Sequence, residues 1–502
     1  MTNASDTTAI EALEPKAVWR FFVGMAAVPR PSKHEEQIRA HVRKTAESLG
    51  LEVHEDAVGN LLLKAPASPG CENAPTVVLQ GHLDMVPEKN ATTEHDFERD
   101  PIRLVLATDE KTGEPIVTAD GTTLGADNGI GVALALAAAS EPDVTHGPLE
   151  ILCTVDEEAG MTGAKALRAD FFSGNILINL DSEEDDAIYI GCAGGCDNTL
   201  TWTFPLHPCD GGCRTVRVCV RGLRGGHSGG DIHENRGNAN KVLVRTLAAA
   251  GDGLRLVEIA GGSKRNAIPR EAHAVVCGPG DVLERLRAAA AQVRAEVIEE
   301  SAEPGLVIDV APDDAAACTG QVSAEDTRRL LRALTALPHG VLGMHPKMPD
   351  LVQTSNNTAT VSTERAADGK TVTITVGALT RSSSRSLLHV ARDQIIAIGE
   401  LAGAEVASGN EYPGWEPNPD SPTLAVCRKV YRDLFGKEPH VAAIHAGLEC
   451  GIINERAGGR LDAVSFGPTI TGPHSPDELV YVKSVARMWD YLKAVLAELA
   501  QS

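Results

Sequence analysis

Apolar positions near the start of the chain recur at helical intervals: Val18, Phe22, Ile38, Val42 and Leu49 lie between Pro15 and Gly50. Pro29 and Pro31 in "VPRPSKHEE" divide that stretch, because proline lacks the amide donor that a continuous helix needs, so two helices are predicted. Short runs follow, "NLLLKA", "TVVLQGH", "LEILCTVDEE" and "ILINLD", apolar at consecutive positions as in strands buried on both faces. Helical "NGIGVALALAAAS" lies between the second and third runs, and "TGAKALRADFF" separates the third from the fourth. This alternation predicts an α/β unit, a mostly parallel-stranded sheet with helices on both faces.

After about Ile190 the pattern changes. "CRTVRVCVRGLRG" alternates like a half-exposed strand, "NANKVLVRTLAAAG" and "DVLERLRAAAAQVRAEVIEE" read as helices, and "HAVVCG" and "TVTITVGAL" as strands. That order suits an α+β domain. From about Val390 the helical "ARDQIIAIGELAGA" suggests a return to the first texture, with "DAVSFGP" as a strand and "KSVARMWDYLKAVLAELA" as a closing helix. A chain of 502 residues is too long for one core. The predicted organisation is therefore a catalytic domain in two parts, residues 1–189 and 391–502, interrupted by an inserted lid at 190–390.

Charge narrows the partners. With 46 basic and 69 acidic residues the net charge is −23, which argues against nucleic acid or an anionic membrane. "GVALALAAA" is too short to span a bilayer, and no basic segment followed by an apolar core opens the chain. Eleven cysteines without a dense framework suggest reduced thiols and a cytoplasmic protein. Cys192, Cys196, Cys209 and Cys213 form two C-x3-C pairs, but the usual zinc knuckle is C-x2-C and the intervening "NTLTWTF" reads as a strand.

The apolar runs of the first domain end in groups that bind metals or carry protons. "TVVLQ" leads to His82 and Asp84, "LEILCTV" to Asp156, Glu157 and Glu158, "ILINL" to Asp181, and "VSFGPTITGPH" to His474. Open α/β sheets bind ligands beyond the carboxyl ends of their strands, so these groups are expected in one crevice. Asp127 joins them from "GTTLGADNGIGVA", a glycine-rich turn entering a helix; no Gly-Lys-Ser/Thr follows, which weighs against a phosphate loop. Two imidazoles and three carboxylates exceed the three protein ligands of one catalytic zinc, and suit two ions about 3.5–4 Å apart. A run such as "VDEEAG" is usually a solvated turn, but adjacent like charges closing an apolar strand call for a cation. His227 in "RGGHSGGDIH" reads by itself as part of a surface loop.

The pieces "GHLDMV", "TTLGADNGIGVA", "DEEAGMTGA", "NLDSEE", "GGHSGGDI", "RGNANK", "NAIP", "HAGLECG" and "GPHSPDE" span nearly the whole chain. In that order they resemble the M20 metallopeptidases, and within them the aminoacyl-histidine dipeptidase subfamily. The resemblance implies that His82, Asp127 and Asp181 hold one divalent ion and Asp127, Glu158 and His474 another. Zinc is the expected metal, with manganese or cobalt as alternatives. Asp84 would orient His82, and Glu157 would be the general base that takes a proton from a metal-bridging water. A cis peptide between Asp127 and Asn128 is also implied.

From the lid, the resemblance brings His227 to the oxyanion of the tetrahedral intermediate and assigns Asn266, Arg381 and Gly447 to substrate binding, with Arg385 a competitor for the role of Arg381. The implied reaction is hydrolysis of dipeptides of broad specificity, including Xaa-His. The alternatives are deacylation of N-acyl amino acids and aminopeptidase-like trimming of short peptides. A non-catalytic metal- or peptide-binding protein on the same fold would typically lack Glu157 or a ligand, and none is missing. A homodimer is one arrangement that would supply His227.

Overall fold

A computed structural model describes residues 4–209, 214–313 and 320–501. They form two units: one comprises Met1–Gly191, Pro417–Ala443 and Leu448–Ser502, the other Cys192–Glu416 and Ile444–Gly447.

In the first unit, the proline-split stretch forms helices Lys16–Ala26 and Glu36–Ser48. The apolar runs become strands Leu61–Ala65, Val77–His82, Leu149–Thr154 and Ile176–Asn179. They belong to an eight-stranded mixed sheet. Its centre is parallel: Val77–His82 lies between Leu149–Thr154 and Ile176–Asn179, and Asp462–Ser465 continues beside the latter. Strands Glu52–Glu55 and Leu61–Ala65 add antiparallel partners at one side, where a short hairpin needs no helical crossover. Because the central strands run the same way, the residues that follow Gln80, Thr154 and Asn179 lie along one edge of the sheet. The helix Ala126–Ser140, buried almost all round, packs over the strand Val77–His82.

The cis peptide between Asp127 and Asn128 is present. The Asn128 side chain turns inward, where its Nδ2 donates to the Leu180 carbonyl at 2.7 Å. A Cβ on Gly81 or Gly131 would come within 2.2 Å of Asn128 Oδ1 or the Leu180 carbonyl respectively, so both glycines are needed for this approach.

The second unit is a nine-stranded antiparallel sheet covered by helices Ala239–Ala249, Val282–Ser301, Ala324–Ala336 and Arg385–Leu401. Inward residues such as Val218, Leu243, Leu286, Leu330, Ile374 and Val376 form its core. One expectation is corrected here. The helical stretch from about Val390 does not begin the return to the first domain: it lies in the helix Arg385–Leu401, where Ile395 joins this core and Gly399 packs against Leu200 and Val406. The chain rejoins the first unit at Pro417. Helical periodicity shows an apolar face but not which sheet receives it.

Cys192 and Cys196 are buried thiols on strands Ala187–Cys192 and Gly194–Pro205. Cys213 lies outside the described residues. Cys209 is disulfide-bonded, which departs from the expectation of reduced thiols throughout. Among the described residues, none of these cysteines belongs to a metal-compatible cluster, and no helix is long and apolar enough to cross a membrane.

Candidate metal centre

At the carboxyl edge of the parallel strands, the ligand atoms of His82, Asp127 and Asp181 all lie within 4.8 Å of one another, as do those of Asp127, Glu158 and His474. Asp127 joins the two groups through separate oxygens: Oδ1 is 2.9 Å from His82 Nε2 and Oδ2 is 3.1 Å from His474 Nε2. Asp181 Oδ1 stands 3.5 Å from His82 Nε2, and Glu158 Oε2 stands 3.0 Å from His474 Nε2. His82 is buried while His474 is exposed, so the cluster runs from the interior to the surface.

The donor set fits divalent cations. Glu158 Oε1 and Asp181 Oδ1 are buried without hydrogen-bond partners, an arrangement that costs free energy unless a cation satisfies them. Burial raises the pKa of both carboxyls against the attraction of the nearby imidazoles. The Asp127 carboxylate, also opposed by burial, is nevertheless held far below its usual range by His474 and His82. Hydrogen bonds that His474 donates to Asp127 and Glu158 push its pKa up to about 11, and at His82 the carboxylates of Asp181, Asp127 and Asp84 overcome the opposing effect of burial. Without metal, protons must supply the positive charge that this cluster of acids demands.

Asp84 has two roles, of which the sequence suggested one. Its Oδ1 lies 3.3 Å from His82 Nδ1, the expected contact. The same carboxylate accepts the backbone N–H of Glu157 at 3.0 Å and of Glu158 at 3.2 Å, and the Ser32 hydroxyl at 2.8 Å. It therefore holds the turn that bears the acidic pair. Glu157 itself is raised well above the ordinary carboxyl range, first by burial and then by Asp181, Glu449 and Glu158 against the pull of His82.

Sequence reasoning missed the supports around this edge. Glu478, buried, accepts the backbone N–H groups of Leu124, Gly125, Ala126 and Asp127 at 2.7–3.2 Å, fixing the turn that presents the shared carboxylate. Arg30, also buried, donates to the carbonyls of Leu83 and Asp84 at 3.0 Å and to that of Gly125. Glu35 accepts the backbone N–H of Asp156, a left-handed residue that starts the acidic turn. "VPRPSKHEE" thus does more than break a helix: it ties three ligand-bearing loops together. Below the strand ends, buried Glu449 accepts from Gln80 at 2.7 Å and Thr154 at 2.5 Å, and burial pushes its pKa up to about 8. The quoted motifs contain Arg30, Glu449 and Glu478, but their spacing does not reveal which distant backbone they hold.

Within the second unit, His227 pairs with Ala267 in a two-residue ladder, so His227 and Asn266 are neighbours and both are exposed. Gly230 N–H donates to His227 Nδ1 at 3.0 Å, which leaves the ring proton on Nε2 as an outward donor. The backbone N–H of Ala193 bonds to the carbonyls of Ile444 and Ala446, holding the segment that ends at Gly447. Arg381 is buried and Arg385 exposed. Arg381 Nη1 donates to Tyr412 at 2.9 Å, its Nε is buried without a partner, and among the described residues no carboxylate pairs with it. A buried cation with a vacant edge suits an anionic ligand better than exposed Arg385 does.

Residues 78–498 match the profile of peptidase family M20/M25/M40. The chain is 41% identical to the cytosol non-specific dipeptidase of Escherichia coli (strain K12), over 98% of this chain and 99% of that one. The crystal structure of an aminoacylhistidine dipeptidase from Vibrio alginolyticus superposes with a TM-score of 0.87 at 41% identity, covering 97% of this chain and 98% of that one. A Staphylococcus aureus tripeptidase, 15% identical, matches with a TM-score of 0.61 over 98% of this chain and 100% of its own, which shows a shared fold. With its His, Asp and Glu ligand groups and matches over almost its whole length, the chain belongs to the metal-dependent peptidases of family M20/M25/M40.

Proposed function

We propose that this protein is a cytosolic dinuclear metallo-dipeptidase of broad specificity that includes Xaa-His. The observation that carries the reading is the Asp127 carboxylate, whose two oxygens face His82 and His474 separately. His82, Asp127 and Asp181 would hold one divalent ion, zinc in this reading, and Asp127, Glu158 and His474 the other. Such ions lower the pKa of an attacking water and polarise the scissile carbonyl.

Glu157 takes the proton from that water and delivers it to the leaving amine. Burial raises its pKa above the usual carboxyl range, in keeping with a group that must both accept and donate a proton. Asp84 keeps Glu157 and Glu158 in register through their backbone amides while orienting His82. His227 donates from Nε2 to the oxyanion, a charge that develops only in the transition state. Asn266 and Gly447 bind the substrate, and Arg381 takes its terminal carboxylate. Support for the dipeptide substrate comes from the identity to the Escherichia coli dipeptidase.

The test is a panel of dipeptides, tripeptides and N-acetyl amino acids offered to protein loaded with zinc, manganese or cobalt. Dipeptides should be cleaved much faster than the other classes. Preference for N-acetyl amino acids would favour a deacylase, and binding without turnover under every metal would favour a non-catalytic protein.

A further inference from the structure

Arg381 stands in a row of cross-strand neighbours. Ser355 lies directly opposite it on one side and Gly195 on the other, and Gly195 in turn lies opposite Tyr412. Positions opposite one another share a face of the sheet. Arg381 and Tyr412 therefore point to the same side from strands separated by one glycine-bearing strand, about 10 Å apart. Both side chains lean over that glycine and meet, Arg381 Nη1 donating to the Tyr412 hydroxyl at 2.9 Å. A Cβ on Gly195 would sit 2.6 Å from both Tyr412 Cζ and its hydroxyl oxygen, so the contact exists only because this position has no side chain.

The other flank is also filled. Ser355 Oγ holds His445 Nε2 at 2.7 Å, and both residues are buried. His445 is neutral, its pKa pushed down to about 3 by burial and by the Arg381 charge. Burial raises the pKa of the Tyr412 phenol, so neither neighbour neutralises the guanidinium. Nη1 is the only guanidinium nitrogen that bonds within the described residues. What remains is the Nε–Nη2 edge, the pair of parallel N–H groups that receives a carboxylate in bidentate fashion.

We propose that Tyr412, placed by Gly195, is the positioning residue that makes Arg381 selective for a free substrate carboxylate. The inference rests on the reading of Arg381 as the carboxylate anchor. By occupying Nη1, Tyr412 stops the guanidinium from rotating and leaves a single edge available, so the entropy of orienting it is removed before the substrate arrives. An amidated terminus brings no charge to that edge and gains little from its alignment.

Tyr412→Phe removes one hydroxyl, and Gly195→Ala displaces the ring by contact; either should free Arg381 without deleting it. kcat and KM are measured for a dipeptide and its C-terminal amide, beside Arg381→Ala. Both variants should raise KM for the free dipeptide about tenfold with kcat little changed, while leaving the amide as it was. If Arg381→Ala abolishes the preference for the free carboxylate but Tyr412→Phe preserves it, or if Tyr412→Phe impairs both substrates equally, the positioning role is overturned and the anchor stands. If Arg381→Ala itself leaves the preference intact, the anchor and the inference fall together.

Discussion

Asp84 accepts the backbone N–H of Glu157 at 3.0 Å, so the carboxylate that lies against buried His82 also fixes the backbone of Glu157, the proposed general base. The base and the ligand shell are thereby coupled through one carboxylate with no exposed surface.

Glu157→Gln should therefore keep its metals and its fold, because the backbone bond to Asp84 does not involve the altered side chain. Turnover should fall by about 10²–10⁴-fold, the usual contribution of a general base. Metal content and kcat measured on the same preparation decide the assignment. Loss of metal would identify Glu157 as a ligand, and near-full turnover would remove it from the chemistry.

Asp84→Asn changes only one oxygen to an amide, yet that amide would meet N–H or O–H donors from Glu157, Glu158 or Ser32 on one side or the other. Metal affinity should drop about 10–100-fold as His82 keeps only the Asp84 backbone carbonyl and loses the carboxylate charge beside it. A calorimetric titration with zinc that matched the unmutated protein would show that the contact is incidental.

Glu478→Gln tests the support beneath Asp127. The variant loses the charge that four backbone amides and buried Arg30 share, and Arg30 then lacks the acid that contributes most to holding its charge. A loss of about 2–4 kcal/mol in chemical denaturation is expected. Weaker metal binding should accompany it. Unchanged stability together with unchanged metal affinity would show that the four bonds do not position the turn.

Most of the candidate ligands were legible in the sequence because they close apolar runs, and parallel strands bring their carboxyl ends to one edge. His82, Asp181 and the Glu157–Glu158 pair follow from that rule alone. Asp127 and His474 were also candidates from the sequence, one in a glycine-rich turn entering a helix and the other in the stretch that follows an apolar run, but dividing the ligands between two ions depended on the family resemblance. Arg30, Glu35 and Glu478 were not legible as supports: each acts on backbone amides or carbonyls supplied by distant segments, and only the folded register brings those together. Tyr412 was hidden for the same reason, because its partner Arg381 is reached across a strand whose relevant residue is a glycine. The helix Arg385–Leu401 was recognised as a helix, but its pattern could not state that its apolar face meets the antiparallel sheet.

The second unit should lose stability in acid through His445. Burial and Arg381 lower its folded pKa to about 3, below the value of about 6.5 for an unfolded histidine, so the unfolded chain binds the extra proton between those limits. Its full contribution is present above pH ~6.5 and is lost as pH falls toward ~3, by a few kcal/mol at most. His445→Gln should flatten this part of the stability profile relative to the unmutated protein, both measured metal-free. Parallel profiles would mean that His445 is protonated equally in both states.

Substrate length provides the sharpest test of the carboxylate anchor. In a dipeptide the terminal carboxylate lies one residue beyond the scissile amide, and one more residue displaces it by about 3.3–3.6 Å. The buried Arg381 guanidinium, with its Nη1 held by Tyr412, has little freedom to follow that displacement. An unpaired guanidinium and a misplaced carboxylate together cost on the order of 2–5 kcal/mol, so tripeptides should show kcat/KM roughly 30- to 4,000-fold below dipeptides of matching N-terminal residue. Amidated dipeptides should be slow for the related reason that they bring no charge to the edge. Efficient cleavage of tripeptides by the unmutated enzyme would show that the Arg381 contact does not measure substrate length.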